Sequence, residues 1–177
     1  MKPALDHFNF CPSCGESEIE RIKSVAVRCR ACGLEYFMSP TVSAAALIEN
    51  DEGRILVVKR GKNPRKGKLG LPGGFADPGE TLEETLQRET KEEVNLDLES
   101  WSFLGGWPNQ YAFESVIYTV VDTYFIAQAR DFESIRTCQE ELESVHFVYP
   151  REVHEDDWAF PSLKNAIRRY LDLKHTS

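Results

Sequence analysis

Residues 73–96, GGFADPGETLEETLQRETKEEVNL, carry the most informative pattern of the chain. Pro78-Gly79 is a turn signal, and Thr81 followed by Glu84 fits a capping box, so a helix is predicted to begin near Leu82. At about 100° per residue, one face of this helix is an inward stripe. The stripe consists of Leu82, Leu86, Thr90 and Val94.

Two glutamates lie at the edge of this stripe. Glu89 and Glu93 are four residues apart and therefore share one helix face. Carboxylates held together near a core repel each other and lose hydration unless a cation joins them. A solvated acidic helix would place its acids around the exposed face, as Glu83 and Glu84 do, and leaves this pair unexplained. The pattern indicates a divalent metal site.

The segment resembles the Nudix box, the signature of hydrolases that cut a nucleoside diphosphate linked to another group. The pattern G-x5-E-x7-R-E-x2-E-E-x2-L is filled by Gly74, Glu80, Arg88, Glu89, Glu92, Glu93 and Leu96. Thr90 stands where an aliphatic residue is commoner, and Asn95 replaces a glycine near the end of the box. Asparagine tolerates the left-handed backbone that a helix-terminating glycine supplies, so this second departure is mild.

The resemblance implies a fold and a mechanism. The expected fold class is α/β (α+β), a Nudix fold whose mixed β-sheet is sandwiched between helices, with a small N-terminal zinc ribbon. Arg88 is expected to orient a neighbouring glutamate, and Glu80 to brace the loop against the helix. The ligands of catalytic Mg²⁺, or Mn²⁺ in its place, are expected to be Glu89, Glu92, Glu93 and the backbone carbonyl of Gly74.

A further carboxylate from outside the box is expected as a base or metal ligand. The acidic run at residues 140–143, EELE, precedes a predicted strand. By its resemblance to the family's acid-aliphatic pair, this run points to Glu141. The alternative, that these glutamates are simply exposed in a loop, stays open.

Four cysteines form a second motif. They occur as two C-x2-C knuckles, each followed by a glycine, and the residues are Cys11, Cys14, Cys29 and Cys32. Knuckles at this separation are typical of a closed, structural zinc site with four thiolate ligands. A thioredoxin-like redox pair is not normally duplicated in this way, and a disulfide framework would imply export. The fifth cysteine, Cys138, is expected to be a free thiol.

The chain is expected to contain two domains, a zinc ribbon at residues 1–38 and a Nudix hydrolase domain at residues 39–177. Within the ribbon, residues 19–27 are interpreted as strand between the knuckles. An amphipathic helix is predicted after Pro161-Ser162. Strands of the second domain are predicted at residues 41–49, 54–59, 101–106, 116–127 and 145–149.

A basic segment precedes the box. Residues 59–68 contain six lysines and arginines and no acid, which suits a diphosphate substrate, although a solvated basic loop is the alternative. Arg60, at the end of a predicted strand, is the first candidate for phosphate contact, and Lys68 is a further one. Trp107 and Tyr111 are candidates for stacking a base, although aromatic residues at strand ends are more often core.

The resemblance to zinc-ribbon Nudix enzymes covers almost the whole chain. It implies hydrolysis of the diphosphate linkage in a nucleoside diphosphate derivative, of the ADP-ribose, NADH or FAD type, with release of a nucleoside monophosphate. Residues 105–111, GGWPNQY, share only Trp-Pro with the Ser-Gln-Pro-Trp-Pro-Phe-Pro type motif of the NADH branch. Two other functions stay open: an RNA-cap processing enzyme and a catalytically silent nucleotide sensor, although a sensor is expected to have lost Glu89 or Glu93.

The composition of the chain limits the classes of binding partner that are expected. A net charge of −8 argues against wholesale binding to nucleic acid or anionic membranes, and the basic residues of the ribbon are matched by nearby acids. No apolar run approaches the ~20 residues that span a bilayer. Without a recognisable signal peptide, and with knuckle cysteines that suit reducing conditions, a cytoplasmic location is expected. A small nucleotide is the expected partner, and the resemblance also implies a homodimer.

Overall fold

The computed structural model describes residues 1–176, which form eleven strands and two α-helices. Neither of these two helices is long and apolar enough to cross a membrane. Residue 177, the last of the predicted second domain, lies outside the described residues. The helices are α1 (Leu82–Val94) and α2 (Pro161–Thr176). The strands are β1 (Lys2–Pro3), β2 (Ile19–Ile22), β3 (Ala26–Cys29), β4 (Glu35–Phe37), β5 (Thr41–Ile48), β6 (Ile55–Arg60), β7 (Leu69–Gly70), β8 (Gly73–Phe75), β9 (Leu98–Phe113), β10 (Val116–Ala129) and β11 (Leu142–Val148).

The chain divides into two compact units. The smaller unit contains residues 1–41 and 110–119, and the larger unit contains residues 42–109 and the chain from 120 onwards. The predicted domain boundary between residues 38 and 39 stays a prediction, because the smaller unit also includes the tip of the β9–β10 hairpin.

The core of the larger unit lies on both faces of its strands. Along β5, Ala44 and Ala46 pack in one buried cluster with Leu86 of α1, whereas Leu47 packs in a second cluster with Leu163 of α2. Successive side chains of a strand point to opposite faces, so β5 is buried on both sides. This explains its nearly continuous apolar sequence and confirms the predicted sandwich of sheet between helices.

The larger unit contains strands of two sheets. In the first, β10, β5 and β8 are neighbours in that order, and β9 pairs with β10. Gly73 and Gly74 of β8 pair antiparallel with Ala45 and Ala44 of β5. The second sheet has the order β11-β6-β7, with antiparallel pairing throughout. The box therefore begins on a strand, β8, before it becomes helix.

The start of β11 contains a β-bulge beside the end of β6. Leu142 pairs with Arg60 and Ser144 pairs with Lys59, which leaves Glu143 as the extra residue. A bulge of this kind bends its strand and redirects the neighbouring side chains. The acidic run at residues 140–143 is therefore partly inside a strand and is held against β6.

Both ends of α1 follow the sequence prediction. The Thr81 hydroxyl accepts a hydrogen bond from the Glu84 N–H at 3.2 Å, and the Glu84 carboxylate accepts one from the Thr81 N–H at 2.8 Å, which completes the capping box. Asn95 ends the helix with φ of 58° and ψ of 32°, in the left-handed region. Its side chain also donates to the Ser134 carbonyl at 2.7 Å, so asparagine adds a bond that glycine lacks.

Three predicted strands are wrong in extent. Residues 19–27 form parts of a hairpin, β2 and β3, whose turn includes Lys23 with φ of 51°, and a lysine gives no turn signal. β9 continues through Pro108 to Phe113 instead of ending at residue 106, because a proline is tolerated on a strand that pairs on one side only. β11 begins at Leu142 rather than at residue 145.

The smaller unit has little apolar interior. Its sheet has the order β2-β3-β4 and is antiparallel, and β1 pairs in parallel with Val116 and Ile117 of β10. The buried apolar residues of this unit are Leu5, Cys11, Ala26, Val27 and Cys29. Because this core is small, a metal ion bound by the cysteines is expected to supply much of the stability of the smaller unit.

Two buried threonines of α1 give opposite predictions for substitution by valine. The Thr90 hydroxyl has no hydrogen-bond partner among the described residues, whereas the Thr85 hydroxyl has Glu80 Oε2 at 2.9 Å and the Thr81 carbonyl at 3.0 Å as acceptors. Thr90→Val is therefore expected to raise the free energy of unfolding by about 1 kcal/mol, and Thr85→Val to lower it by about 1–2 kcal/mol. Urea denaturation measures both, and effects of the same sign would contradict the assignment.

Candidate active site

Two glycines of β8 lie against two carboxylates of α1. The Gly73 N–H donates to Glu93 Oε2 at 2.9 Å. A Cβ on Gly74 would lie 2.4 Å from Glu89 Oε1, so only glycine allows the backbone to pass this close to the carboxylate. Because Glu89 and Glu93 are one helical turn apart, α1 presents both to the same strand. Three of the predicted metal ligands are thus adjacent.

Burial makes both carboxylates costly to ionise without a cation. Glu93 is only 9% exposed, and burial raises its pKa to about 8, with the negative charges of Glu89 and Glu141 adding to the effect. Burial likewise raises the pKa of Glu89, although the Arg88 guanidinium opposes the shift. A buried, like-charged pair of this kind is stabilised when a cation is shared between its members.

Arg88 organises the surrounding acids. Its Nε and one Nη donate to the two carboxylate oxygens of Glu80 at 2.7 and 3.0 Å, and the other Nη donates to Glu89 at 2.8 Å and Glu92 at 3.2 Å. A fifth bond goes to the Phe75 carbonyl at 3.0 Å. A guanidinium has five N–H donors, so every one of them is used within the box. This geometry favours a positioning role for Arg88 over contact with substrate.

Glu80 joins the loop before α1 to the helix. Besides Arg88, its carboxylate accepts hydrogen bonds from the Asp77 N–H at 2.9 Å and the Thr85 hydroxyl at 2.9 Å. The Arg88 hydrogen bonds, helped by the Asp77 N–H, lower the pKa of Glu80 to about 2. Glu80 is therefore ionised and connects the loop before α1 to the helix, which is the structural role expected of it.

Glu141 and Glu92 differ from the buried pair in exposure. Glu141 is exposed, but its charge raises the pKa of both Glu89 and Glu93, so its carboxylate lies near theirs. The Glu92 side chain is 61% exposed and is held by Arg88. Glu92 is therefore joined to Glu89 through Arg88, and Glu141 acts on Glu89 and Glu93 through its charge.

Among the predicted substrate contacts, Arg60 lies beside the carboxylates. Its positive charge lowers the pKa of Glu93 and opposes the effect of burial. Arg60 is half-buried, and its Nε donates to the Pro64 carbonyl at 2.8 Å. The guanidinium carbon lies 5.2 Å from the centre of the Phe160 ring, a cation–π distance. These contacts hold Arg60 in place more firmly than an exposed lysine.

The other predicted substrate contacts lie in different surroundings. Lys68 is at 3.7 Å from Asp157 in a surface ion pair. Trp107 packs in the α2-side core at 5.9 Å from the Tyr124 ring, and a Cβ on Gly105 would lie 2.5 Å from its indole. Tyr111 belongs to the smaller unit. A stacking role for either aromatic residue stays a prediction.

The four knuckle cysteines converge in the smaller unit. Their sulfur atoms all lie within 4.8 Å of one another, with 3.6 Å between Cys11 and Cys32 and between Cys14 and Cys29. Sulfurs bound at 2.3 Å to a tetrahedral ion are about 3.8 Å apart, whereas a disulfide would need about 2.05 Å. The N–H groups of Cys14 and Ser13 lower the pKa of Cys11 to about 6, whereas burial and the neighbouring sulfurs raise the pKa of Cys14, so the four thiols do not all ionise without a cation to share. The cluster fits a tetrahedral metal ion.

The knuckle glycines explain the convergence. Gly15 and Gly33 have φ of 79° and 77°, and their N–H groups donate to the Cys11 and Cys29 carbonyls at 2.9 and 3.0 Å. Left-handed backbone at these positions turns each knuckle back on itself. Each pair of sulfurs is thereby directed to the same point.

Comparison with known proteins identifies the family of this chain. The model of the NUDIX domain matches residues 39–170, so the chain belongs to the Nudix family. An ADP-ribose pyrophosphatase of Methanocaldococcus jannaschii is 46% identical over 69 residues, which are 39% of this chain and 40% of that protein. The NAD-capped RNA hydrolase NudC of Stutzerimonas stutzeri is 31% identical over 106 residues, 59% of this chain and 38% of that protein. The chain spans about two fifths of the length of these curated relatives.

A solved structure extends the likeness to nearly the whole chain. A NUDIX hydrolase from Nitrosomonas europaea superposes with a TM-score of 0.72 at 24% sequence identity, over 96% of this chain and 93% of that one. At this identity the likeness concerns the fold, and it confirms the predicted Nudix fold.

The depressed pKa of Glu80 predicts an acid-dependent stability. The folded-state pKa, about 2, is below the ordinary value of 4.5, so Glu80 stabilises the fold fully above about pH 5. This stabilisation is lost as the pH falls from there towards 2. The difference in unfolding free energy between wild type and Glu80→Gln is therefore expected to shrink between pH 6 and pH 3.

Urea denaturation at fixed ionic strength measures this difference. Glu83→Gln, at an exposed position in the first turn of the same helix, is the control for removal of a carboxylate. A difference between wild type and Glu80→Gln that stays constant over the pH range would contradict the prediction.

Proposed function

We propose that this protein catalyses metal-dependent hydrolysis of the diphosphate linkage in a nucleoside diphosphate derivative of the ADP-ribose, NADH or FAD type, and releases a nucleoside monophosphate. The observation that carries the proposal is the pair of carboxylates on α1, the buried Glu93 and the partly buried Glu89, which are held against Gly73 and Gly74 and are influenced by the charge of Glu141. Membership of the Nudix family and the likeness to an ADP-ribose pyrophosphatase support it.

The donor set suits Mg²⁺ or Mn²⁺. Hard divalent cations take carboxylate and carbonyl oxygens as ligands. Glu89 and Glu93, one helical turn apart, supply two neighbouring carboxylates whose pKa values are raised. We assign the ligands as Glu89, Glu92, Glu93 and the Gly74 carbonyl. When bound, Mg²⁺ would supply Lewis acidity that offsets the charge of the diphosphate and activates water for attack on phosphorus.

Three residues around these ligands are assigned the remaining roles in the reaction. Glu141, exposed and close to the buried pair, accepts the proton of the attacking water. Arg60, fixed by Pro64 and Phe160, binds a diphosphate oxygen. Arg88 keeps Glu89 and Glu92 in place and does not touch substrate, since its donors are already used.

Substrate contacts beyond the diphosphate are assigned to the basic segment and to aromatic side chains. The ion pair of Lys68 with Asp157 lies at the surface and is therefore weak, so the Lys68 side chain can reorient towards phosphate. Trp107 and Tyr111 are the candidates for the base. The partner is a small nucleotide, and a homodimer remains part of the proposal through the family resemblance.

A second candidate function is the removal of a nucleotide cap from RNA. Phe10 and Phe37 of the smaller unit are 66% and 61% exposed and offer faces on which bases stack. The cations of that unit are less available, because Arg21, Arg28 and Arg30 are paired with acids. A free dinucleotide is therefore favoured over a capped RNA, even though curated relatives are named as NAD-capped RNA hydrolases.

The hydrolase proposal predicts a specific loss of turnover in Glu93→Gln. Wild type with Mg²⁺ is expected to release AMP from ADP-ribose, NADH or FAD, as read by chromatography. The variant is expected to be at least about 100-fold slower, since a change in the outer shell of a metal site alone costs 10–100-fold. Glutamine is neutral at this buried position, so the fold is expected to persist in circular dichroism.

Controls separate the candidate functions. Glu83→Gln removes an exposed acid of the same helix and is expected to keep wild-type turnover. Faster release from a short 5′-NAD-capped RNA than from NAD or NADH would favour the cap-processing function. Tight nucleotide binding without turnover of any of these substrates would favour the nucleotide sensor.

We also propose that the four-cysteine cluster binds one structural Zn²⁺. Purified protein is expected to contain one zinc per chain by atomic emission, and Cys29→Ser to contain none, because a buried ligand of the tetrahedron is lost. The variant is also expected to melt at a lower temperature, since metal binding supplies folding free energy to so small a core. Cys138→Ser is the control, and an equal loss of zinc there would contradict the assignment.

A further inference from the structure

We infer that Gly61 is a positioning residue for Glu141, and this inference rests on the proposed function. The Gly61 N–H donates to the Glu141 carbonyl at 2.8 Å and so connects the end of β6 to the turn that carries Glu141. Sequence reasoning missed Gly61, because its contact joins residues far apart in the chain.

Glycine is required at this position for space. A Cβ on Gly61 would lie 2.8 Å from the Glu141 carbonyl oxygen, 3.1 Å from the Glu141 carbonyl carbon and 3.2 Å from that of Leu142. All three atoms are backbone, so no side chain can move aside to relieve the clash. The φ of Gly61 lies outside the left-handed region, so an alanine would suit its conformation and conflict only with the approach of Glu141.

The turn that carries Glu141 is also anchored to α1. The Cys138 N–H donates to the Glu93 carbonyl at 3.0 Å, and the Cys138 carbonyl accepts from the N–H groups of Glu141 and Leu142 at 3.1 and 2.9 Å. One end of the turn is thus fixed to the backbone of a proposed metal ligand, and the other end is fixed to Gly61. The Glu141 carboxylate is thereby held near Glu89 and Glu93, in agreement with the pKa shifts of both.

The bulge in β11 supplies a second anchor. Glu143, its extra residue, forms an ion pair with Lys59 of β6 at 3.0 Å. Bulges occur next to active sites, where they re-aim a side chain. Lys59 and Gly61 therefore hold the same turn from two positions on the end of β6.

A methyl group at position 61 would push the Glu141 backbone away by a few tenths of an ångström or more. Catalytic groups need to stay within about 0.5 Å of their productive position, and a misplacement of 1 Å can cost about 100-fold. The displacement would leave the box itself intact, since Gly61 makes its contact with Glu141 and Leu142 and not with α1.

The test is a double-mutant cycle of Gly61→Ala with Glu141→Gln. Two quantities are measured for each variant: kcat with Mg²⁺, and Mn²⁺ affinity by electron paramagnetic resonance, which needs no turnover. Gly61→Ala is expected to lower kcat by about 10–100-fold, and to weaken Mn²⁺ binding because the negative charge of Glu141, although it is not an assigned ligand, is displaced from the ligands Glu89 and Glu93. In the Glu141→Gln background the same change is expected to alter either quantity by less than about 2-fold, since the positioned group is already gone.

Gly70→Ala is the matched control. Gly70 lies on β7, which pairs with β6, and a Cβ there would meet only the Val58 side chain at an ordinary 3.5 Å. This variant is expected to keep wild-type kcat and Mn²⁺ affinity. Wild-type behaviour of Gly61→Ala, or an equal loss with and without Glu141, would overturn the inference.

The remaining outcomes separate this inference from the proposed function. If wild type turns over no substrate, the hydrolase proposal fails, and the Mn²⁺ cycle still decides the role of Gly61. Full activity and affinity of Glu141→Gln would overturn the inference and leave the hydrolase proposal standing. If Gly61→Ala fails to fold, Lys59→Met replaces it in the cycle, with a smaller loss expected that also disappears in the Glu141→Gln background.

Discussion

The site depends on the burial of two like-charged carboxylates on one helical turn. The packing of α1 against the sheet buries Glu93 and leaves 15% of the Glu89 side chain exposed, and only a glycine at position 74 leaves room for the Glu89 carboxylate. Because such a pair is unfavourable in isolation, surrounding groups offset its charge: Arg88 donates to Glu89, the Gly73 N–H donates to Glu93, and the positive charge of Arg60 lowers the pKa of Glu93. Binding a divalent cation relieves a cost that the fold has already imposed.

Local sequence predicted the elements whose causes are local. The capping box at Thr81, the left-handed end at Asn95 and the turn glycines of the knuckles each depend on residues within a few positions of one another. Arg88 is expected from the sequence to orient a neighbouring glutamate and Glu80 to brace the loop, and the structure joins these two residues in a bidentate contact that the sequence does not itself predict. The positions of the cap, of the left-handed helix end and of the knuckle turns therefore follow from residue type and short-range spacing.

The features that sequence did not predict depend on distant partners. The length of β9 is set by its pairing with β10, which carries the strand past Pro108. The close approach of Gly61 to Glu141 joins two loops that no spacing rule connects. The packing of Trp107 against the α2-side core, where Tyr124 lies 5.9 Å away, also depends on distant residues, and its role in base stacking stays a prediction. In each case tertiary packing, rather than residue type, decides the outcome.

The hydrogen bond from the Cys138 N–H to the Glu93 carbonyl has a dynamic consequence. Helix ends fray more readily than helix centres, and local opening proceeds in cooperative segments. Since the last turn of α1 and the turn before β11 share this bond, fraying of one releases the other. Glu93 and Glu141 would then be displaced together, because one backbone hydrogen bond couples the two segments that carry them.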